Sequence, residues 1–222
     1  MNPPKVEVIT VDGPTASGKG TIASKLAQVL GFHYLDSGAL FRLTALSCLS
    51  NRLDLSDSAS CAQAALKMKL RFEEGKIFLF DQDVTDAIRE EKIGIAASQV
   101  ATMPAVREAI LSLERGLCRE PGLVADGRDM GTVVFPQARL KIFLTASAKV
   151  RAERRYKQLI QRGISANLAD LTRDLEERDR RDRERTVSPM RPAADARLLD
   201  SSEMTIDETV NRILSWYRTL PA

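Results

Sequence analysis

The sequence predicts an α/β fold: a parallel central sheet with helices on both faces. Three observations predict it. Short β-branched or apolar runs alternate with segments of helical periodicity along most of the chain. The first of these runs leads into a glycine-rich loop and then a helix. Later runs, such as residues 122–125 and 142–144, are short and apolar, as strands covered on two faces must be.

Residues 6–11 are rich in β-branched side chains and read as the first strand, closed by the turn Asp12-Gly13-Pro14. From Gly18 the pattern is helical, with Ile22, Ala23, Leu26, Val29 and Leu30 on one face and Gly31 as a stop. Asp36-Ser37-Gly38 caps a helix running to Leu49. In residues 69–80 the period changes. Leu70 and Phe72 alternate with charges, Glu74-Gly75 turns the chain, and residues 77–80 run apolar. That is a local antiparallel hairpin, with Asp81-Gln82-Asp83 as the next turn. It interrupts the strand–helix alternation and so marks an inserted subdomain. Residues 93–115 are helical with a break at Pro104. A short strand over 122–127 ends in an acid, and 141–144 is another strand. Ser147 caps a helix ending near Gly163, and a very polar helix follows from Leu168 to about Arg185. A brief strand lies at 198–200, and Thr205 with Glu208 makes a capping box for the last helix.

Composition narrows the function. A hydrophobic fraction of 44% supports a core and excludes disorder. One His excludes a His-based metal site, and Cys48, Cys61 and Cys118 form no CxxC pair, so they are expected as buried reduced thiols. No apolar run is long enough to span a bilayer and no leader is evident, so a cytoplasmic protein with no membrane partner is expected. The 33 Lys and Arg nearly balance 30 Asp and Glu, for a net charge of +3. The densest basic stretch, 151–185, is interleaved with acids and reads mostly as a solvated, self-paired helix surface, with Arg151, Arg162 and Arg173 assigned to it. Nucleic acid is therefore not an expected partner.

Gly13-Pro14-Thr15-Ala16-Ser17-Gly18-Lys19 matches G-x-x-x-x-G-K between a predicted strand and a predicted helix. Glycines let the backbone bend around a polyphosphate with its N–H groups inward, and the helix adds its positive dipole end. Lys19 places a point charge on the β- and γ-phosphates. The next slot is Gly20, where the usual motif has Ser or Thr for Mg²⁺, and Thr21 follows. Residue 20 therefore cannot ligate the metal; Thr21 can reach a phosphate, and water can complete the metal shell. The loop alone fits switches, motors and kinases. The lack of an Asn-Lys-x-Asp motif disfavours a GTPase, and arginines recurring beside acids (Arg42, Arg107, Arg128 and the 178–185 cluster) favour a small-molecule kinase over a nucleotide-dependent switch.

The segment Asp126-Gly127-Arg128-Asp129-Met130-Gly131-Thr132 is the second strong signal. An acid at the carboxyl end of a parallel strand points into the crevice where ligands bind. Arg128 can grip a phosphate, and Asp129 can accept hydrogen bonds from a base or sugar. In the 178–185 tract, Arg178, Asp182 and Arg185 are spaced i, i+4, i+7 and share one helical face, while Arg180, Arg181 and Arg183 point elsewhere.

On these residues the chain resembles the bacterial cytidylate kinases, of the nucleoside monophosphate kinase family. The matching pieces are Asp12-Gly13-Pro14 with Ser17-Gly18-Lys19-Gly20-Thr21, Leu35-Asp36-Ser37-Gly38-Ala39, Ala97-Ser98-Gln99-Val100-Ala101, the Asp126 to Thr132 segment, Glu177-Arg178-Asp179 with Asp182-Arg183, and Pro192-Ala193-Ala194-Asp195-Ala196. The resemblance implies a three-layer P-loop fold with an inserted subdomain for the nucleoside monophosphate, carrying a small antiparallel sheet, and a helical lid. The expected division is a core of 1–36, 94–150 and 186–222, a monophosphate-binding insert of 37–93, and a lid of 151–185.

The resemblance also implies roles. ATP would lie on residues 13–21, with Lys19, Arg128, Arg178 and Arg185 catalytic. CMP would be held by Ser37, Arg42, Ser98, Arg107, Asp126, Arg128, Asp129, Arg178, Asp182 and Arg185. Among these, Ser98, Arg107 and Asp129 would read cytosine, Arg42 and Arg128 the phosphate, and Asp182 the ribose; Arg178 and Arg185 would bridge sugar and phosphates. Mg²⁺ would be held by ATP phosphates and water, with Asp126 the one protein candidate. In the family a tyrosine commonly stands at the position of Phe41, so any contact needing that phenol is lost here. The implied reaction is direct in-line transfer of the ATP γ-phosphoryl group to the phosphate of CMP or dCMP by a monomer, with no general base because the acceptor is already ionised.

Overall fold

A computed structural model describes residues 6–73, 75–161 and 163–220. The expected turn residue Glu74 and the expected solvated Arg162 lie outside them. In chain order the elements begin β1 (Val8–Asp12), α1 (Lys19–Leu30), β2 (His33–Asp36), α2 (Ser37–Ser50), α3 (Ser58–Leu66), β3 (Leu70–Glu73), β4 (Lys76–Leu79) and β5 (Gln82–Asp83). They continue with α4 (Glu91–Val100), α5 (Pro104–Gly116), β6 (Leu123–Gly127), β7 (Leu140–Thr145), α6 (Ala148–Gln161), α7 (Leu168–Glu184), β8 (Arg197–Asp200) and α8 (Ile206–Arg218). The chain divides into two compact units. One takes the segments up to Leu35 and from Cys118 onward, and the other runs from Asp36 to Leu117. Among the described residues no helix is long and apolar enough to cross a membrane.

The first unit carries the expected α/β architecture. Its sheet has the order β2-β6-β1-β7-β8. β1 pairs in parallel with β6 and β7, and β7 with β8. Every residue of β1 is buried, which is why its sequence is β-branched on both faces. Ile9 and Val11 pack with Val124, Ile142 and Leu144 from the neighbouring strands. Leu26 of α1 and Ile213 of α8 close the same cluster, and each fully buried aliphatic side chain there contributes about 2 kcal/mol. On α1 the buried side chains are Ile22, Ala23, Leu26 and Ala27, whereas Val29, expected on that face, is 53% exposed near the helix end. The expected capping box of α8 is present, with Thr205 and Glu208 satisfying each other's backbone N–H groups. β2 was not anticipated; four residues ending at a helix cap give no period to read.

In the second unit, Asp36 caps α2 by accepting the Ala39 N–H at 3.0 Å. The expected hairpin is a three-stranded antiparallel sheet, β3-β4-β5. Gln82 and Asp83, expected in a turn, pair instead with Leu79 and Phe78. The turn falls one residue earlier, at Phe80 and Asp81, with φ of 48° and 64°. Positive φ at both positions is what a two-residue hairpin connection demands. Residues 93–115 form two helices rather than one broken helix, because Pro104 opens α5 at its first turn. α3 was not anticipated, although its Asp57 cap was legible in retrospect. Residues 94–117, expected with the core, cluster with this unit: α4 packs on α2, and α5 on α3. Cys48 and Cys61 are buried as expected, but Cys118 is only half-buried.

Candidate active site

Two loops leave the carboxyl ends of adjacent strands in the first unit. β1 ends at Asp12 and β6 at Gly127, and these two residues are register partners. Ligands bind at such points in open α/β sheets, where strand order reverses. Gly13 opens the first loop with φ of 154°, and a Cβ there would lie 2.1 Å from the Leu144 carbonyl oxygen. Only glycine lets the loop pass so close to β7. Gly18, at φ 89°, is the N-cap of α1 and offers no side-chain cap, so the helix's first N–H groups face the loop. Lys19 Nζ donates to the Pro14 carbonyl at 3.2 Å across the loop's mouth. The Ser17 hydroxyl is buried with no hydrogen-bond partner among the described residues. A buried hydroxyl without a partner at a helix N-terminus suits an anionic oxygen.

Asp12 joins the two loops. Its carboxylate accepts the N–H groups of Met130 and Gly131, both at 2.8 Å. Burial pushes its carboxyl up to about 6, although those two hydrogen bonds pull it down. Arg128 donates from Nε to Asp182 at 2.8 Å and from Nη2 to the Thr15 hydroxyl at 2.7 Å. For Asp182, burial raises the carboxyl pKa, but Arg128, with Arg185 and Arg178, brings it below the usual range. Asp129 is buried, and Arg185 stands 3.7 Å from it and 3.8 Å from Asp182. The expected face of Arg178, Asp182 and Arg185 on α7 is thus directed at the Arg128–Asp129 loop, with Arg178 half-buried beside Asp182.

The position after Lys19 is informative. A Cβ on Gly20 would lie 3.4 Å from the Tyr34 hydroxyl and 3.9 Å from Asp126 Oδ2. Tyr34 donates to Asp126 Oδ1 at 2.7 Å. A phenol and a carboxylate therefore stand where the usual motif's hydroxyl side chain would reach. Thr21 is exposed.

One expectation is overturned. Arg151 is not on a solvated surface. It is 5% exposed, lies 2.7 Å from buried Asp179, and donates to the carbonyls of Ala146 and Thr15 at 3.0 and 2.9 Å. A charge buried this deeply needs a partner, and Asp179 supplies it from α7. Arg173 is exposed and pairs with Asp170, as expected. Arg180 and Arg181 pair with Glu177 on the outer face, and Arg183 lies 3.9 Å from Asp179. The signal for Arg151 was only its i, i+3 spacing with Arg154, which alternation of charge concealed.

In the second unit, the buried Ser37 hydroxyl donates to buried Glu114 at 2.6 Å. Arg42 donates to the Ile88 carbonyl at 2.8 Å and lies against Gly94, where a Cβ would meet its Nη2 at 2.8 Å. Arg107 is 9% exposed, donates to the Ala101 carbonyl at 3.1 Å, and stacks 5.2 Å over the Phe41 ring. Phe41 thus keeps its packing without a phenol. Ser98 is half-buried on α4. Glu114, Tyr34 and Asp12 were not singled out from sequence as site residues.

A solved structure of an uncharacterized protein from Eubacterium ventriosum ATCC 27560 matches 97% of this chain and 99% of its own at a TM-score of 0.55, with 12% identity, which speaks to the fold alone. A protein named cytidylate kinase from Ralstonia pickettii is 56% identical over 211 residues, covering 95% of this chain and 91% of that protein. One of the same name from Cupriavidus necator is 55% identical over 212 residues, covering 96% of each. The family model described as cytidylate kinase matches residues 9–219, nearly every strand, loop and helix described above, and the chain belongs to that family.

Proposed function

We infer that the protein catalyses ATP-dependent phosphorylation of CMP and dCMP to the diphosphates. The observation that carries this reading is the pair of loops at the carboxyl ends of β1 and β6, in a chain that matches the cytidylate kinase family over residues 9–219. Residues 13–21 would cradle the ATP phosphates, with Lys19 exchanging its Pro14 contact for the β- and γ-oxygens. Arg128, Arg178 and Arg185 would neutralise charge spread over the transferred group. On the first unit, Asp129 would accept the cytosine amine, Arg128 would take the monophosphate, and Asp126 would be the one protein candidate toward Mg²⁺; on the second, Arg107 and Ser98 would contribute to base recognition, and Arg42 and Ser37 to holding the monophosphate. Asp182 would accept the ribose hydroxyl protons. The acceptor phosphate needs no base to attack.

Mg²⁺ fits this arrangement as a passenger on ATP. Asp126 and Tyr34 stand where a motif hydroxyl would otherwise reach, which suits water-mediated contact. When bound, the metal neutralises phosphate charge. The enzyme acts as a cytoplasmic monomer, and residues 151–185 act as its lid. A coupled ADP-release assay over a panel of acceptors tests the reading. CMP and dCMP are expected to exceed UMP, AMP and acceptor-free hydrolysis, and acceptor-independent turnover would defeat it.

A further inference from the structure

Ala16 adopts φ of 60° inside the phosphate loop. An L-residue with a side chain holds that left-handed conformation only where its surroundings fix it. The carbonyls on either side of it are both bound from α6. Arg151 Nη1 donates to the Thr15 carbonyl at 2.9 Å, and Arg154 Nη1 donates to the Ser17 carbonyl at 3.0 Å. Three residues apart, the two arginines share one helix face. Each is held in turn. Arg151 lies 2.7 Å from Asp179, whose other oxygen accepts the Thr15 N–H at 3.2 Å. Arg154 donates through Nη2 to the Ser201 carbonyl at 2.7 Å.

The orientation of these carbonyls has a consequence. Among the described residues the one cis bond is Glu120–Pro121, so the 15–16 and 17–18 peptides are trans. In a trans peptide the C=O and N–H point in opposite directions. Binding the Thr15 and Ser17 carbonyls to α6 therefore turns the N–H groups of Ala16 and Gly18 away from α6.

We propose that Arg151 and Arg154, with Asp179 fixing Arg151, are positioning residues that set the phosphate loop so that these two amides face the ATP phosphates. The proposal rests on residues 13–21 being the ATP-phosphate site. The arginines act through the loop's carbonyls rather than on the nucleotide, and they also tie α6 and α7 to the loop.

Calorimetric titration of the full chain with MgATP, and separately with CMP, tests this. Arg154→Met is expected to weaken MgATP binding about tenfold, the scale of one lost charged hydrogen bond, and to leave CMP affinity within about twofold. Arg154→Lys is expected to recover less than half of the loss, because one ammonium cannot serve both carbonyls that the guanidinium bridges. Ala16→Gly, which relieves the left-handed strain, is expected to recover about threefold or more when added to Arg154→Met. Full rescue by lysine would make Arg154 a charge acting directly on the nucleotide and overturn the proposal. So would unchanged MgATP affinity in Arg154→Met, or no gain from Ala16→Gly. Should Arg154→Met not fold by circular dichroism, Arg154→Lys with and without Ala16→Gly carries the same comparison. If Lys19→Ala binds MgATP as tightly as the wild type, the phosphate-site reading itself fails, independently of the arginines.

Discussion

Arg128 and Asp182 are bound to each other: Nε of one lies 2.8 Å from Oδ2 of the other, with the side chains 20% and 18% exposed. In the proposed reaction they hold different parts of CMP, phosphate and ribose. On that proposal, CMP binding would redistribute the pair. Removing one partner leaves the other charge half-desolvated. A double-mutant cycle with Arg128→Met and Asp182→Asn, read by urea unfolding without ligand, should give a coupling of about 1–3 kcal/mol. Asp182→Asn should also raise the KM for CMP about tenfold while changing the KM for ATP far less. Additive single effects on stability would show that the pair contributes nothing.

Lys19→Ala should lower kcat by about a hundredfold or more, the scale seen when one preorganised charge is removed from a transferring group. Stability should change by about 1 kcal/mol, the scale of a hydrogen bond such as the one the half-buried lysine makes to Pro14. Steady-state kinetics with a melting curve separates the two. Near-normal turnover in a folded variant would contradict the assignment.

Asp129→Ala should narrow the preference for CMP over UMP. Cytosine offers an amine where uracil offers a carbonyl, and a buried carboxylate opposite a carbonyl leaves both groups unsatisfied. That mismatch is worth about 1–3 kcal/mol, or roughly tenfold to a hundredfold in the kcat/KM ratio. A ratio that does not move would remove Asp129 from base recognition.

Asp12 predicts a pH effect on stability. Its folded pKa is raised to about 6 from 3.8. Between those values the folded state binds the extra proton, so this group's contribution is complete below about pH 4 and is lost as pH rises through 6. The full span is about 3 kcal/mol. Unfolding free energies of wild type and Asp12→Asn, compared from pH 4 to 7, should show the wild type losing about 2–3 kcal/mol relative to the variant. A constant difference would mean that Asp12 does not titrate there.

The loop from Gly13 to Thr21, the strand that carries Asp126 near its end and the Arg178–Asp182–Arg185 face were legible because each rests on local spacing. So was the parallel sheet, through its buried runs. What sequence hid was pairing at long range. Arg151 finds Asp179 across 28 positions on a different helix, and the charge alternation that suggested solvent gives no clue to that meeting. Tyr34 reaches Asp126 from a strand of four residues. The division at Leu117 rather than near residue 93 reflects packing of α4 and α5 on α2 and α3, which no composition shift announces.

The carboxylate of Asp12, accepting the Met130 and Gly131 amides, works as a length standard. It spaces the loop carrying Arg128 and Asp129 from the strand that launches the phosphate loop. Asp12→Glu would preserve the charge and both acceptor oxygens and add one carbon–carbon bond, about 1.5 Å. Misplacement of about 1 Å can cost a hundredfold in rate. Size at this position is therefore as demanding as chemistry: the two oxygens each accept one amide, and the shorter acid sets how far apart the strand and the loop stand.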